Sequence, residues 1–205
     1  MVVVVSLAVA VAATAITGVT VASGGPRERP VRASVTGSAE FRLPYLADDD
    51  VRSLTFDAYA APFSRPIPGL PGTGGLPTDA RGTVKVSHYS AREHITYTAE
   101  GAVDCLVTAP GSASLTAVIT KVSPGGPHWL GERMGFSVYD GGTDERGRAS
   151  GDRVGYSWDD TVNWTTGTPR HEDAVNSCMA PAPFAPVTEG GYRVRHADLP
   201  NWPTN

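Results

Sequence analysis

Short segments in which apolar and polar residues alternate recur along the chain from about residue 35 onward. In one of them, Leu54, Phe56 and Ala58 alternate with Thr55 and Asp57. Alternation with a period of two places successive side chains on opposite faces of a strand, and no segment keeps helical spacing over about ten residues. The pattern therefore predicts an all-β domain, either a single antiparallel β-sandwich or a barrel, of about 8–10 strands.

Turns and two long Pro-rich loops separate these segments. Residues 88–94 are typical of a hairpin turn, and residues 140–147 begin a longer turn that joins predicted strands at 133–139 and 153–158. The Pro-rich stretches are residues 62–77 and 180–186. A loop as long as the one that contains residues 62–77 is unusual inside a compact domain, so we expect either a binding or covering loop or a surface crossover stiffened by proline.

The N-terminal segment indicates export. Residues 1–22 carry no Asp, Glu, Lys or Arg, and an apolar run at 2–11 is followed by small residues. This predicts a signal peptide over residues 1–23, a short linker over 24–34 and one β domain over 35–205. No basic residue lies near Met1, so an uncleaved membrane anchor is the alternative. The expected location is secreted or extracellular, with membrane contact only if the segment stays uncleaved.

The charge pattern excludes one class of partner. The formal net charge is -4, and the charges are scattered along the chain. There is no basic patch of the kind that nucleic-acid binding requires, so no nucleic-acid partner is expected.

The chain has two cysteines, Cys105 and Cys178, and they lack C-x-x-C spacing. Two distant cysteines make a poor zinc half-site, whereas exported domains commonly form structural disulfides. We therefore predict a Cys105–Cys178 disulfide worth roughly 4 kcal/mol, model-dependent, which ties residues 159–180 to the sheet. The alternation of Val103, Cys105 and Val107 predicts that Cys105 faces inward.

Acidic residues gather around the long turn. Asp140, Asp144 and Asp152 are weak candidates for a Ca²⁺ site, since Ca²⁺ prefers several oxygen ligands, or for an acid–base pair assisted by His88. Their spacing matches no EF-hand loop, and Asp beside Gly is also favoured by local turn hydrogen bonds. No G-x-S-x-G elbow or phosphate-binding loop occurs. The sequence therefore predicts no catalytic residue and no cofactor other than this Ca²⁺ alternative.

Tryptophans supply the candidate ligand contacts. Trp158 continues a strand pattern and is predicted to be in the core. Trp164 and Trp202 lie in irregular polar sequence, where an exposed indole could stack on a sugar. The expected partner is therefore a cell-wall or extracellular glycan.

Six motifs occur in a fixed order along most of residues 35–200. They are residues 103–108, 113–120, 135–142, 152–158, 178–184 and 190–194. In this order they resemble a group of small exported actinobacterial proteins of unknown function, some of which carry the label repetin. The resemblance implies secretion and an all-β domain, and it implies no activity and no catalytic residue.

Three functions follow as hypotheses. The first is a secreted, disulfide-stabilised, non-catalytic module that binds a ligand or a surface, and we expect this one. The second is a secreted hydrolase that uses carboxylates near Asp140 and Asp152. The third is a barrel that carries a small ligand in an apolar cavity.

Overall fold

The computed structural model describes residues 32–69, 74–143, 147, 150–157, 160–162, 169–171 and 175–203. The chain divides into two units, Met1–Pro30 and Val31–Asn205. The predicted signal peptide lies outside the described residues, as does most of the predicted linker. Within the described ranges, no helix is long and apolar enough to cross a membrane.

Eight antiparallel strands close into a barrel, which confirms the all-β prediction and decides for a barrel rather than a sandwich. Its strands in chain order are β1 (Ser34–Phe41), β2 (Val51–Ala60), β3 (Ala80–Ser90), β4 (Ile95–Ala109), β5 (Ser112–Val122), β6 (Arg133–Tyr139), β7 (Arg153–Tyr156) and β10 (Ala185–Arg195). Each strand pairs with the next, and β10 closes the barrel by pairing with β1. Between β7 and β10, β8 (Asp160–Val162) and β9 (Pro169–His171) form a separate two-stranded sheet.

Buried apolar side chains occupy the interior, as the alternation of Leu54, Phe56 and Ala58 predicts. The ring of Phe56 lies 5.8 Å from Phe136 in an edge-on arrangement and 5.3 Å from Tyr192. The Tyr192 hydroxyl donates to the carbonyl of Leu54, which satisfies this buried polar group. Side chains can fill a barrel of eight strands, and these three rings lie together in this one.

A β-bulge at Asp104 changes which residues of β4 face the interior. Val103 pairs with Ala117 and Cys105 pairs with Thr116, so Asp104 has no residue opposite it in the backbone pairing of β4 with β5. One extra residue reverses the inside–outside phase of the strand that follows it. Leu106 therefore joins the core, and Cys105 lies on the outer face beside Thr116. The predicted inward orientation of Cys105 is wrong for this reason.

The predicted disulfide is present: Cys105 and Cys178 are bonded, with their Cα atoms 5.2 Å apart. Cys178 belongs to residues 175–184, an irregular segment outside the barrel that we call the strap. Two hydroxyls of β5 hold it in addition. The Thr116 hydroxyl accepts from the Cys178 amide (3.2 Å), and the Ser114 hydroxyl donates to the Cys178 carbonyl (2.9 Å).

The strap crosses the outer face of the barrel at two glycines. A Cβ added to Gly135 on β6 would overlap the carbonyl of Met179, and one added to Gly155 on β7 would overlap the carbonyl of Ala182. Both overlaps involve backbone atoms, so a side chain at either glycine has to displace the strap. The same glycines begin the two G-x-S sequences on β6 and β7, and their role here is close packing.

We expect Gly135→Ala to lower the free energy of unfolding by about 1–3 kcal/mol, because overpacking forces backbone shifts. It should also increase protease cleavage within the strap, since the added methyl group displaces the strap backbone at Met179 from the barrel. Urea denaturation and limited proteolysis measure the two effects. Gly74→Ala is the matched control, because a Cβ there meets, among the described residues, only Phe63 at ordinary contact distances of 3.5 Å or more. Equal effects of the two variants would contradict the close packing at Gly135.

Candidate functional site

Asp140 and Asp152, two of the three acidic candidates, lie between the β6–β7 connection and β10. Asp152 is 3% exposed; its two oxygens accept from the amides of Gly141 (2.9 Å) and Tyr192 (2.7 Å). Asp140 accepts from the amides of Gly142 and Val194, both at 2.9 Å. All four oxygens of these two carboxylates are thus engaged with backbone N–H groups. Asp144, the third candidate, lies outside the described residues.

The topology explains why carboxylates are needed there. β10 pairs with β7 only through Ala185 and Pro186. Farther along β10, no described strand lies beside the amides of Tyr192 and Val194 on that side. Buried backbone N–H groups need an acceptor, and the carboxylates of Asp152 and Asp140 supply it. This arrangement gives the two aspartates a structural role at the point where the barrel closes.

The arrangement offers little to the calcium and hydrolase hypotheses. Among the described residues there is no group of three or more His, Cys, Asp or Glu side chains that could hold a metal ion. His88 is near the end of β3, whereas Asp140 and Asp152 lie where β6 ends and β7 begins. Those positions are at opposite ends of the barrel, so the structure does not bring His88 to these carboxylates.

His88 instead belongs to an ionic network at its own end of the barrel. Arg52, 8% exposed, donates to both oxygens of Asp48 at 3.0 and 2.7 Å and approaches Asp50 at 3.2 Å. Asp50 also lies 2.7 Å from Nε2 of His88 and accepts from the amide of Ala91. Sequence reasoning missed this network, although Arg52 stands in the same alternation phase as Leu54 and Phe56, which is unusual for a charged residue.

These contacts shift the acidity of the two carboxyls. The hydrogen bond from Arg52 lowers the pKa of Asp48, and the hydrogen bond with His88 lowers the pKa of Asp50. The neighbouring Tyr156 has its pKa raised, chiefly by burial. The network pairs the Arg52 guanidinium with the carboxylates of Asp48 and Asp50. The Asp50–His88 pair has no nucleophile among its described hydrogen-bond partners.

Trp202, a predicted ligand contact, lies at the other end of the barrel, where β10 finishes and the C-terminal tail (residues 196–203) begins. We call this the tail end. The Trp202 side chain is 53% exposed, and its ring lies 5.6 Å from that of Phe63 at an interplanar angle of 53°. We call Trp202 and Phe63 together the aromatic platform. Trp164 and Trp158, the other two tryptophans with predicted roles, lie outside the described residues.

Hydrogen bonds within the Pro-rich β2–β3 loop position Phe63. Its amide donates to the carbonyl of Leu76 (2.9 Å) across the loop. The buried carboxylate of Asp79 accepts from the amides of Arg65 (2.9 Å) and Leu76 (3.1 Å). The backbone of Phe63 has φ 57°, in the left-handed region that bulky residues rarely adopt.

Two polar residues, Ser64 and Arg65, directly follow Phe63 of the platform in the chain. The Ser64 hydroxyl is buried and has no hydrogen-bond partner among the described residues. The Arg65 side chain is 46% exposed; it donates to the carbonyl of Val103 (2.9 Å) and lies 3.9 Å from Asp104. The tail is held as well, since His196 Nδ1 lies 3.1 Å from the Thr108 hydroxyl.

Comparisons of the chain with protein-family profiles, curated proteins and solved structures gave no match. The resemblance noted from the sequence motifs therefore stays a prediction, and the function has to be argued from the geometry.

We expect Asp152→Ala to lower the free energy of unfolding by about 3 kcal/mol, because the buried amide of Tyr192 and the amide of Gly141 lose their acceptor. Asp198→Ala is the control, since that carboxylate is 98% exposed and lies 3.3 Å from His196 Nε2. Chemical denaturation measures both variants.

Millimolar Ca²⁺ should leave the melting temperature of the unmodified protein unchanged, and a clear rise would favour the calcium hypothesis again.

The lowered pKa values of Asp48 and Asp50 predict a loss of stability in acid. Both carboxyls ordinarily titrate near 3.8, so the folded protein binds fewer protons than the unfolded chain around and below that pH. Their contribution is complete above about pH 4 and is lost as the pH falls through the lower folded values. Urea denaturation between about pH 2.5 and 6 should give a shallower pH dependence for Asp50→Asn than for the unmodified protein.

The control for that experiment is Asp49→Asn, which removes one negative charge from the same loop and breaks none of these hydrogen bonds. If Asp50→Asn kept the full pH dependence of the unmodified protein, the ionic network would not be its source.

Proposed function

We propose that this chain is an exported, non-catalytic β-barrel module that binds an extracellular or cell-wall polysaccharide through the aromatic platform. The observation that carries the proposal is the exposed indole of Trp202, which contacts the ring of Phe63. Phe63 is itself held by the hydrogen bond from its amide to the Leu76 carbonyl. An exposed aromatic face can stack on the apolar face of a sugar ring. A ring that is already fixed loses little conformational entropy on binding.

The backbone of Phe63 supports a role for this surface. Holding a bulky residue at positive φ costs about 1–2 kcal/mol, and such strain often marks a functional site. Here the strained conformation accompanies the contact between Phe63 and Trp202. We infer that the conformation is kept because it completes the platform.

Hydrogen-bonding groups beside the platform suit a sugar. Sugar hydroxyls can accept hydrogen bonds, and Arg65, whose side chain is 46% exposed, lies two residues from Phe63 in the chain and carries guanidinium N–H donors. Aromatic area combined with a few polar groups is the usual composition of a specific small-ligand surface.

Export is supported by three observations. The N-terminal 22 residues are uncharged, the Cys105–Cys178 disulfide is compatible with an oxidising compartment, and the sequence motifs resemble those of exported proteins. The hydrolase alternative has no comparable support, because the oxygens of Asp140 and Asp152 are engaged with backbone amides.

The test is sedimentation of the protein with insoluble peptidoglycan and screening of the soluble protein on a glycan array. Trp202→Ala should weaken binding by about thirtyfold, since truncating a central aromatic costs about 2 kcal/mol. Trp202→Phe should retain part of the affinity because it keeps a ring.

Leu130→Ala is the control for these measurements, because Leu130 is 67% exposed and lies on the β5–β6 loop at the opposite end of the barrel. Melting temperatures of all variants should agree within a few degrees, which excludes unfolding as the cause. The proposal fails if no glycan is bound, or if Trp202→Ala binds as tightly as the unmodified protein.

A further inference from the structure

Four exposed arginines lie together on the outer surface of β10, β1, β2 and β3 at the tail end of the barrel. We call them the arginine face; they are Arg32, Arg81, Arg193 and Arg195. Arg195 lies opposite Ser34 on β1, and Ser34 lies opposite Tyr59 on β2. Tyr59 in turn lies opposite Arg81 on β3. These positions are far apart in the chain, so the sequence shows only scattered charges and the barrel brings them together.

The guanidinium groups of this face are free to pair with a ligand. Among the described residues, none forms an ion pair or a hydrogen bond with the side chains of Arg81, Arg193 or Arg195. Asp57 on β2 lies among them and interacts with the Tyr59 hydroxyl. The arginines outnumber this carboxylate, so the face is positive although the whole chain has a formal net charge of -4. Such a local excess of one charge attracts ligands of the opposite charge.

Arg32 connects the arginine face with the aromatic platform. Its guanidinium lies over the ring of Tyr59, 5.6 Å from the centroid, and its Nε donates to the carbonyl of Ala60. Phe63 of the platform follows Ala60 by three residues, so the Cα atoms of these two residues are at most about 11 Å apart. One extended ligand can therefore contact both surfaces.

The chemistry of the face favours a polymer that carries carboxylates. The planar guanidinium of arginine matches a carboxylate through two parallel hydrogen bonds. Arg195 and Arg81 lie three strand spacings apart, about 14 Å, so a polymer that repeats its charge meets several arginines at once, and these contacts reinforce one another. Ser34 and Thr36 on β1 lie between them and carry short hydroxyl side chains, which leave room for a sugar chain.

We propose that the polysaccharide bound at the aromatic platform is acidic, with carboxylates on its sugar rings, and that the arginine face pairs with them; this rests on the proposed function and names its class of ligand. In such a polymer the ring that stacks on Trp202 and the carboxylates belong to the same chain. A nucleic acid carries one phosphate per nucleotide, and its binding calls for a strongly basic domain, which an overall acidic chain does not provide.

The test compares three carboxylated polysaccharides, polygalacturonate, alginate and hyaluronan, with their methyl esters by calorimetric titration of the full-length protein. Each acid shares its rings and linkages with its ester and differs in charge. At least one acid should bind tenfold more tightly than its ester at about 50 mM NaCl, and about 500 mM NaCl should remove most of that difference, because salt screens exposed charges. No preference for any acid over its ester, or tighter binding of single-stranded DNA than of the acids, would overturn the proposal.

A double variant locates the charge contacts. Arg193→Gln with Arg195→Gln should weaken binding of the acid by about tenfold, as expected for two exposed ion pairs, and should leave binding of the ester unchanged. The matched control is Arg42→Gln with Arg92→Gln, which removes the same charge from exposed positions at the opposite end of the barrel. Equal effects of the two double variants would show that net charge alone is responsible and would overturn the proposal.

Trp202→Ala separates this inference from the proposed function. If it weakens acid and ester alike and the acid has no advantage, the platform binds a polysaccharide and the acidic class is wrong. If the acid needs the two arginines but not Trp202, the platform is wrong and the arginine face is retained. Weakening of the acid by both the Trp202 variant and the arginine variant is the expected result.

Discussion

The covalent bond between Cys105 and Cys178 determines which part of the barrel's outer face is covered. It closes a loop of 73 residues, worth roughly 4 kcal/mol on a chain-entropy estimate, which is a large share of the 5–15 kcal/mol that stabilises a typical domain. The strap has no strand of its own, and ordering each residue costs about 1–2 kcal/mol. The disulfide, the two β5 hydroxyls and the close approach at Gly135 and Gly155 together offset that cost.

The closure of the barrel poses a separate problem. A closed barrel removes exposed strand edges, but β7 is too short to cover the length of β10. The amides of Tyr192 and Val194 instead donate hydrogen bonds to the carboxylates of Asp152 and Asp140. Both aspartates belong to the connection between β6 and β7. Side chains thereby replace part of a strand. This backbone requirement explains Asp140 and Asp152, two members of the acidic cluster that resembles a metal or catalytic site in the sequence.

Local pattern predicted much of the fold, because strands such as β2 alternate between buried and more exposed positions. Leu54, Phe56 and Ala58 are buried as expected, and the turn at 91–94 lies inside the predicted hairpin. The orientation of Cys105 is not predictable in this way, because the bulge is visible only in the pairing of β4 with β5. The roles of Asp140 and Asp152 are hidden for a related reason: they depend on amides of β10 that lie 54 and 40 residues later in the chain. Arg52 does carry a local signal, a charge on the inward phase of a strand, but its partners come from the β1–β2 loop and the network extends to β3.

The distribution of side chains explains why the proposed binding surface lies outside the barrel. Phe56, Phe136 and Tyr192 lie together in the interior, and the buried Arg52 is matched by acidic partners at one end. The exterior at the tail end carries the exposed Trp202. Thr108 on β4 supports this side chain indirectly, because its hydroxyl meets His196 at the base of the tail that carries Trp202. The platform therefore depends on the end of β4 as well as on the β2–β3 loop that positions Phe63.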